Sequence, residues 1–454
     1  MKTILLPPSK SVLHRELIAA FLACRSQNSL NFFAEKAAAL LPPACSEDLA
    51  ATRDSLLALG EALHLIEERG RALPDDLLPL LPCRESGTTL RLLLPVAAAL
   101  GMPALFKMEG RLPARPMDPL LRVLEEHGCR ITRPAPNLLQ TEGSLTPGTY
   151  SLPGHISSQY FSGLLFALPL LRESSVLRSE TPLESLPYVE MTTEVLRAAG
   201  IPLAPGSFLD KNGCFRLTVP GNCSYRKPKH RTAEGDWSGA AFWLAAGLLG
   251  EEDLTLHGLS EHSLQGDRSI IALLRRFGGD IEIKKAIGES KRKEENGEGA
   301  RREDVILVHP SRARLHAPEK PIDVSSVPDL VPPLALVAAL AEGTTILEHA
   351  KRLRLKESDR LHTVTETLRA LGADIREQTD GLIITGVPSL HGGSIDPADD
   401  HRIAMTAITA ASSFPADGTK APVLLRNPAC IAKSYPSFLA DFRRIYPKAP
   451  LETL

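Results

Sequence analysis

Arg352-Leu353-Arg354-Leu355-Lys356-Glu357-Ser358-Asp359-Arg360 brings four cations and two carboxylates into nine residues. Clustered cations hold phosphate or carboxylate groups, and a carboxylate among them can move a proton. A solvated helix start has a similar composition, so the spacing matters. Arg352, Arg354 and Lys356 alternate with Leu353 and Leu355, which predicts the edge of a strand with the cations on one face. From Ser358 onward Leu361, Val364, Leu368 and Leu371 fall at helical intervals, with Gly372 where the helix should stop. Glu357 to Arg360 is therefore expected at a strand-to-helix junction, where backbone N–H groups add to the attraction for an anion.

Other stretches offer related chemistry. Ser9-Lys10-Ser11-Val12-Leu13-His14-Arg15 follows Pro7-Pro8 and places hydroxyls, Lys10 and Arg15 at a helix opening, suited to phosphate or carboxylate although Ser-Lys-Ser is also an ordinary cap. Glu85-Ser86-Gly87-Thr88-Thr89-Leu90-Arg91 sets Gly87 at the mouth of another helix, where a ligand can approach backbone. Arg111 and Arg115 flank Leu112-Pro113-Ala114, and Pro116 stiffens the turn holding Arg115, an arrangement fit for bidentate carboxylate binding. Ser157-Ser158-Gln159 opens an apolar helix with uncharged donors, as a hydroxylated substrate requires, while N-capping alone also accounts for it. Asp329, after Val327-Pro328 and before the apolar run 330–340, is a helix start and, if buried beside cations, a general base. Asp400-His401-Arg402 and Ile431-Ala432-Lys433 add further charge. His401 lacks a second histidine at ligand spacing, so no metal is expected.

The elements that must position these groups show an internal repeat. Helical stretches close on a glycine and lead into an extended apolar segment at Gly60, Gly128, Gly200, Gly278 and Gly372. A last helix around 438–445 without the glycine makes a sixth copy. Six helix-to-strand copies predict two domains of three, and runs such as Val305-Ile306-Leu307-Val308 and Gly381-Leu382-Ile383-Ile384-Thr385 predict short strands. The class is α/β. Segments 28–44, rich in Ala and Leu, and 284–304, with both signs of charge around Lys291-Arg292-Lys293-Glu294-Glu295, are expected to be insertions. The 454 residues allow two or three domains, and the net charge of -2 gives no global pull toward nucleic acid or an anionic membrane. Seven scattered cysteines without C-x-x-C spacing, an opening run broken by Pro7-Pro8 and no apolar run of membrane-span length predict a soluble, cytoplasmic protein, and a chain long enough for a large buried core is expected to be a monomer.

Taken in order, Ser9-Lys10-Ser11, Gly87-Thr88, Arg115-Pro116, Ser157-Ser158-Gln159, Pro187-Tyr188, Glu234-Gly235-Asp236, Pro328-Asp329, Lys356-Glu357-Ser358-Asp359-Arg360, Asp400-His401-Arg402 and Ala432-Lys433 resemble the 5-enolpyruvylshikimate-3-phosphate synthases. The resemblance implies two similar domains, each of three βαβαββ units (an inside-out α/β barrel), with an inter-domain active site. The domains expected are 9–234, and 1–8 with 235–454. The resemblance further implies small-molecule substrates, no cofactor and no metal: an enolpyruvyl group passes from phosphoenolpyruvate to the 5-hydroxyl of shikimate 3-phosphate. Carried over by motif, Lys10, Gly87, Arg115, Gln159, Arg360, Arg402 and Lys433 are expected around phosphoenolpyruvate. Lys10, Ser11, Arg15, Ser157, Ser158, Gln159, Ser185, Asp329 and Lys356 are expected around shikimate 3-phosphate, with Asp329, Glu357 and Lys10 catalytic. Arg352, Glu85 and His14 depart from residues common in the family. Gly87 adds no methyl group to the pocket, so inhibition by glyphosate is expected. The rival acceptor, UDP-N-acetylglucosamine, belongs to a sister family with a cysteine or aspartate on the loop that here reads Arg111-Leu112-Pro113-Ala114-Arg115. A non-catalytic anion receptor of the same fold is the other alternative.

Overall fold

The structure, a computed structural model, describes all residues except 1, 28, 71–73, 75–76, 207, 228–232, 286–303 and 415–420. The chain divides into two compact units, a continuous one (Lys10–Thr232) and a split one (Met1–Ser9 with Ala233–Leu454).

In the continuous unit, strands Leu80–Arg84, Ala104–Met108, Leu138–Gly143 and Cys129–Ala135 lie side by side in that order. The first pair is parallel and the others antiparallel. A parallel pair needs a crossover, and helix Gly87–Ala99 provides it, while helix Asp118–Glu126 leads into the closing hairpin. That is a βαβαββ motif. Strands Thr149–Leu152, Ser175–Ser179 and Arg216–Val219 with helices Ser158–Ala167 and Leu186–Ala198 form a second, shorter version. Helices Lys10–Ser26 and Glu47–Arg69 supply a third helix pair.

The split unit repeats the plan. Lys2–Leu5 pairs in parallel with Leu254–Leu259, followed by Asp304–His309 and Asp280–Lys284. The crossover helix, Trp237–Leu249, comes only after the chain has built the continuous unit. Ile322–Asp323, Thr344–Glu348, Gly381–Thr385 and Asp374–Gln378 form the second sheet, with helices Val331–Ala338 and Arg360–Ala370. Gly393–Ile395, Val423–Leu425 and Leu451–Thr453 form an all-parallel third, with helices His401–Ala410 and Phe438–Ile445. Helices Trp237–Leu249, Val331–Ala338 and His401–Ala410 are buried almost throughout, as helices apolar on all sides must be. Their partners, such as Phe438–Ile445, bury one stripe only.

Four of the five expected stop glycines, Gly128, Gly200, Gly278 and Gly372, have the positive φ of a left-handed cap. Gly60 does not stop a helix. It lies inside Glu47–Arg69, where a Cβ would sit 3.4 Å from the Phe21 ring, and that helix ends on left-handed Gly70 instead. The alternation from Arg352 to Lys356 is not a strand either. His349, at φ 60, ends strand Thr344–Glu348, and Lys351–Leu355 winds into a 3-10 turn held by Asp380, which accepts from the Ala350 and Lys351 N–H groups. Leu353 is fully buried and Leu355 exposed, so the leucines share no face. In segment 28–44, helix Phe33–Leu40 docks through Phe33, whose ring meets Phe21 edge-on at 5.3 Å. Of segment 284–304, residues 286–303 lie outside the described residues.

Helix Ser158–Ala167 presses on helix Gly87–Ala99 at Gly163, where a Cβ would fall 2.3 Å from the Arg91 carbonyl oxygen. Backbone cannot yield there cheaply, so Gly163→Ala is expected to lower unfolding free energy by about 1–3 kcal/mol. Urea denaturation measures it, and an unchanged midpoint contradicts the packing.

Candidate active site

In the split unit, Arg360 opens helix Arg360–Ala370 and is 1% exposed. Asp359 caps the helix by accepting from the His362 N–H, so Arg360 is fixed at the first helical position. Its Nε donates to Asp400 Oδ2 at 2.9 Å, its Nη1 to Asp329 Oδ1 at 2.8 Å and its Nη2 to Glu357 Oε2 at 2.5 Å. One planar fork thus holds three carboxylates, a geometry open to arginine and closed to lysine. Burial works against the Arg360 charge, but Asp400, Glu357 and Asp329 together hold its proton more firmly than usual.

Asp329 is the second node. Its Oδ1 also receives Lys356 Nζ at 3.4 Å, and its Oδ2 pairs with Arg402 Nη2 at 3.1 Å. Burial pushes the Asp329 carboxyl upward, yet Arg402, Lys356 and Arg360 outweigh it and hold the group well below the ordinary carboxylate range. It is therefore ionised. Lys356 is pulled down to about 8, first by burial and then by the charges of Arg360 and Arg352, against the pull of Asp329. Asp400 caps helix His401–Ala410 through the Arg402 N–H and accepts from Ser358 Oγ at 2.9 Å. Burial raises the Asp400 carboxyl, and Arg360 brings it back below its usual value. Lys433, nearly buried, donates to the Asp399 carbonyl at 2.9 Å. The three cations expected on one face part company: Arg352 turns to the Ser325 carbonyl, Arg354 to Asp359 and Glu377, and Lys356 to Asp329.

In the continuous unit, Lys10 begins helix Lys10–Ser26 and pairs with Asp48 at 2.7 Å. Arg15, expected around shikimate 3-phosphate, is buried. It donates to Thr192 Oγ1, Ser162 Oγ and the carbonyls of Ser11 and Tyr188, and burial lowers it to about 10. It ties helix Lys10–Ser26, and so Ser11, to helices Ser158–Ala167 and Leu186–Ala198. Gln159 accepts from Arg91 Nη1 at 2.9 Å and donates to Thr88 Oγ1 at 2.8 Å. Ser157 caps that helix with Ser158 beside it. Gly87 has its function in the space it leaves: a Cβ would lie 2.9 Å from Arg115 Nη1 and 3.3 Å from Arg91 Nη1. Ser185 stands before helix Leu186–Ala198 in the left-handed region at φ 56, a costly conformation for a serine. Arg111 is exposed, and Leu112–Ala114 forms a 3-10 turn between it and Arg115.

Sequence reasoning left Asp48, Arg91 and Asp400 out of the site. Arg91 was findable, four residues after Gly87 and so on the same helix face. Asp48 lies in the first turn of a helix and Asp400 caps one, and nothing local reveals the cation each one meets. No group of three or more His, Cys, Asp or Glu side chains able to hold a metal occurs among the described residues, and none of their helices is long and apolar enough to cross a membrane.

The model of the EPSP synthase (3-phosphoshikimate 1-carboxyvinyltransferase) family matches residues 1–442. This chain belongs to the EPSP synthase family. The 3-phosphoshikimate 1-carboxyvinyltransferase of Clostridium kluyveri is 37% identical over 445 residues, covering 97% of this chain and 94% of that protein. That of Clostridium perfringens is 35% identical over 452 residues, covering 98% and 95%. Among solved structures, EPSP synthase from Acinetobacter baumannii has a TM-score of 0.65 at 21% identity, over 99% of this chain and 96% of its own. The enolpyruvyl transferase NikO from Streptomyces tendae has 0.63 at 19%, over 98% and 94%. These two show the fold, the two-domain α/β architecture of EPSP synthases.

A family member built this way depends on Arg360 for its charge balance. Arg360→Met leaves three carboxylates without their shared partner and is expected to cost about 3–5 kcal/mol of stability. Chemical denaturation with circular dichroism reads it; a loss below about 1 kcal/mol rules out the three-carboxylate knot.

Proposed function

We propose that this protein transfers the enolpyruvyl group of phosphoenolpyruvate to the 5-hydroxyl of shikimate 3-phosphate and releases phosphate. The observation that carries the reading is Asp329, an ionised carboxylate gripped by Lys356, Arg360 and Arg402 with Glu357 on the same arginine, in a chain of the EPSP synthase family. Two multiply charged anions repel each other, and a fixed set of cations offsets that repulsion. Arg402, Arg360 and Lys433 of the split unit and Lys10, Gly87, Arg115 and Gln159 of the continuous unit take phosphoenolpyruvate. Lys356 and Asp329, with Lys10, Ser11, Arg15, Ser157, Ser158, Gln159 and Ser185, take shikimate 3-phosphate, and Arg15 also holds the Ser11 carbonyl.

Asp329 removes the proton of the 5-hydroxyl as its oxygen bonds to C2 of phosphoenolpyruvate, and Glu357 delivers a proton to the methylene carbon. Glu357 then takes a proton back from the methyl group, the C2–O bond to phosphate breaks, and the enol ether leaves together with phosphate, which carries off the proton that Asp329 took. Lys10 shares in proton transfer. A carboxylate held as low as Asp329 is a weak base while its cations are engaged on it. Substrate anions drawing Arg402, Arg360 and Lys356 toward themselves weaken that grip and raise its basicity. The protein acts as a monomer in the cytoplasm, with no nucleic-acid or membrane partner. Its domains are 9–234, and 1–8 with 235–454, bounds that differ by one or two residues from those of the compact units 10–232 and 1–9 with 233–454. Glyphosate inhibits it, since Gly87 leaves Arg115 close to the backbone. No comparison favours UDP-N-acetylglucosamine as acceptor.

Phosphate release assayed with each acceptor in turn tests the reading: activity with shikimate 3-phosphate alone is expected, and activity only with UDP-N-acetylglucosamine refutes it. Asp329→Ala and Glu357→Gln are expected to lose at least about 100-fold in kcat, and near-normal turnover removes both from the chemistry. Lys356 loses its charge as pH rises through about 8. The KM for shikimate 3-phosphate should therefore climb above that pH, by up to about tenfold, and Lys356→Arg should abolish the climb. A profile unaltered by that substitution shows that Lys356 does not bind the acceptor.

A further inference from the structure

Asp267 sits on the short turn Gly266–Ser269 of the split unit and is 1% exposed. Its Oδ2 accepts a hydrogen bond from Ser238 Oγ, and its Oδ1 meets no hydrogen-bond donor. No ion pair reaches it among the described residues, while Arg360 and Arg402 pair with Asp329. A carboxyl buried without a cation keeps its proton, because the charged form has lost water and gained nothing in return.

The charges around it define what that proton does. Asp329 and Arg402 both act on Asp267, as does Asp236, the cap of helix Trp237–Leu249 that also carries Ser238. Helix Ile270–Arg276 packs on the same turn, but its Arg275 and Arg276 donate to the Ile281 and Lys320 carbonyls. The neighbouring Arg268 donates to the Glu261 carbonyl. Arg402 is thus the cation whose field Asp267 feels. Burial, reinforced by Asp329, pushes Asp267 up to about 7 against the pull of Arg402 and the Ser238 hydroxyl.

We propose that Asp267 is a positioning residue for Arg402 and Asp329: as a neutral acid it leaves Arg402's charge to an anionic substrate, and on ionising it takes part of that charge away. The role rests on the assignment of Arg402 to phosphoenolpyruvate given above. Asp267 touches no reacting atom. It sets the field in which Arg402 and Asp329 work, and gives binding of the donor an alkaline limit separate from the one Lys356 gives the acceptor.

Two measurements on the intact protein decide it. The first is the KM for phosphoenolpyruvate across about pH 6 to 8.5 in wild type, Asp267→Asn and Ser238→Ala. Asparagine mimics the neutral acid, so the wild-type KM should rise roughly three- to tenfold relative to that variant, while kcat stays parallel. Ser238→Ala removes the hydroxyl that favours the charged form and should move the rise to higher pH. Ionisation of phosphoenolpyruvate itself cancels in these ratios. Identical profiles for wild type and Asp267→Asn overturn the proposal.

The second measurement uses no substrate. A folded carboxyl that holds its proton to about 7, against about 4 when unfolded, binds more protons than the unfolded chain between those values. Wild-type stability should therefore fall across that window relative to Asp267→Asn, and parallel curves overturn the neutral-acid state. A protein that shows this fall yet turns over no phosphoenolpyruvate sinks the functional reading and, with it, this role.

Discussion

The buried Arg360 guanidinium is the constraint on which the rest of the split unit depends. It joins Glu357, three residues before it, to Asp329 and Asp400 from two other segments. A buried carboxylate is tolerable only when paired, so three elements are obliged to converge on one side chain. The helices that deliver them, Val331–Ala338 and His401–Ala410, are apolar enough to be buried throughout, and hydrophobic packing brings the ends together. Charge then fixes how the ends meet.

The continuous unit reaches a comparable result with neutral groups. Arg15 is satisfied by hydroxyls and carbonyls rather than by carboxylates, and Thr52 links His14 at 2.7 Å to Thr89 at 2.6 Å. His14, fully buried, is held neutral chiefly by burial, with Lys10 and Arg15 adding to the effect. Thr89 Oγ1 in turn donates to Ser86 Oγ, so Thr52 is left as the donor to Thr89 and His14 Nδ1 as the donor to Thr52. These bonds tie together the starts of helices Lys10–Ser26, Glu47–Arg69 and Gly87–Ala99. Lys10, Asp48 and Gly87 are set by the same hydroxyls, and the departure at His14 becomes intelligible as a structural member.

Much of the fold was legible because periodicity and glycine caps are local. Four of the stop glycines adopt the left-handed cap, and the helix with Leu361, Val364, Leu368 and Leu371 on its buried side begins at Arg360. The errors arose where a tertiary contact overrode a local pattern. Gly60 lies mid-helix against the Phe21 ring, and the alternation before Lys356 yields to a turn pinned by Asp380. In the site, residue types were readable and partners were not. Nothing near Asp48 indicates Lys10, and nothing near Gly266 indicates that Asp267 is buried within the field of Arg402.

The same electrostatics explain why a cation cage for anions must contain so many carboxylates. Lys356, Arg360 and Arg402 crowded together without counter-charge would be driven apart or would shed protons; burial already lowers Lys356, and the charges of Arg360 and Arg352 lower it further. Asp329, Glu357 and Asp400 hold them at close range. A substrate anion therefore competes with pairs already formed. Such exchange costs less than desolvating a bare cation, because the site is already organised. Asp267 fits the same economy from the opposite direction: a fourth full negative charge would overfill the cage, and a neutral acid occupies the space without upsetting the balance.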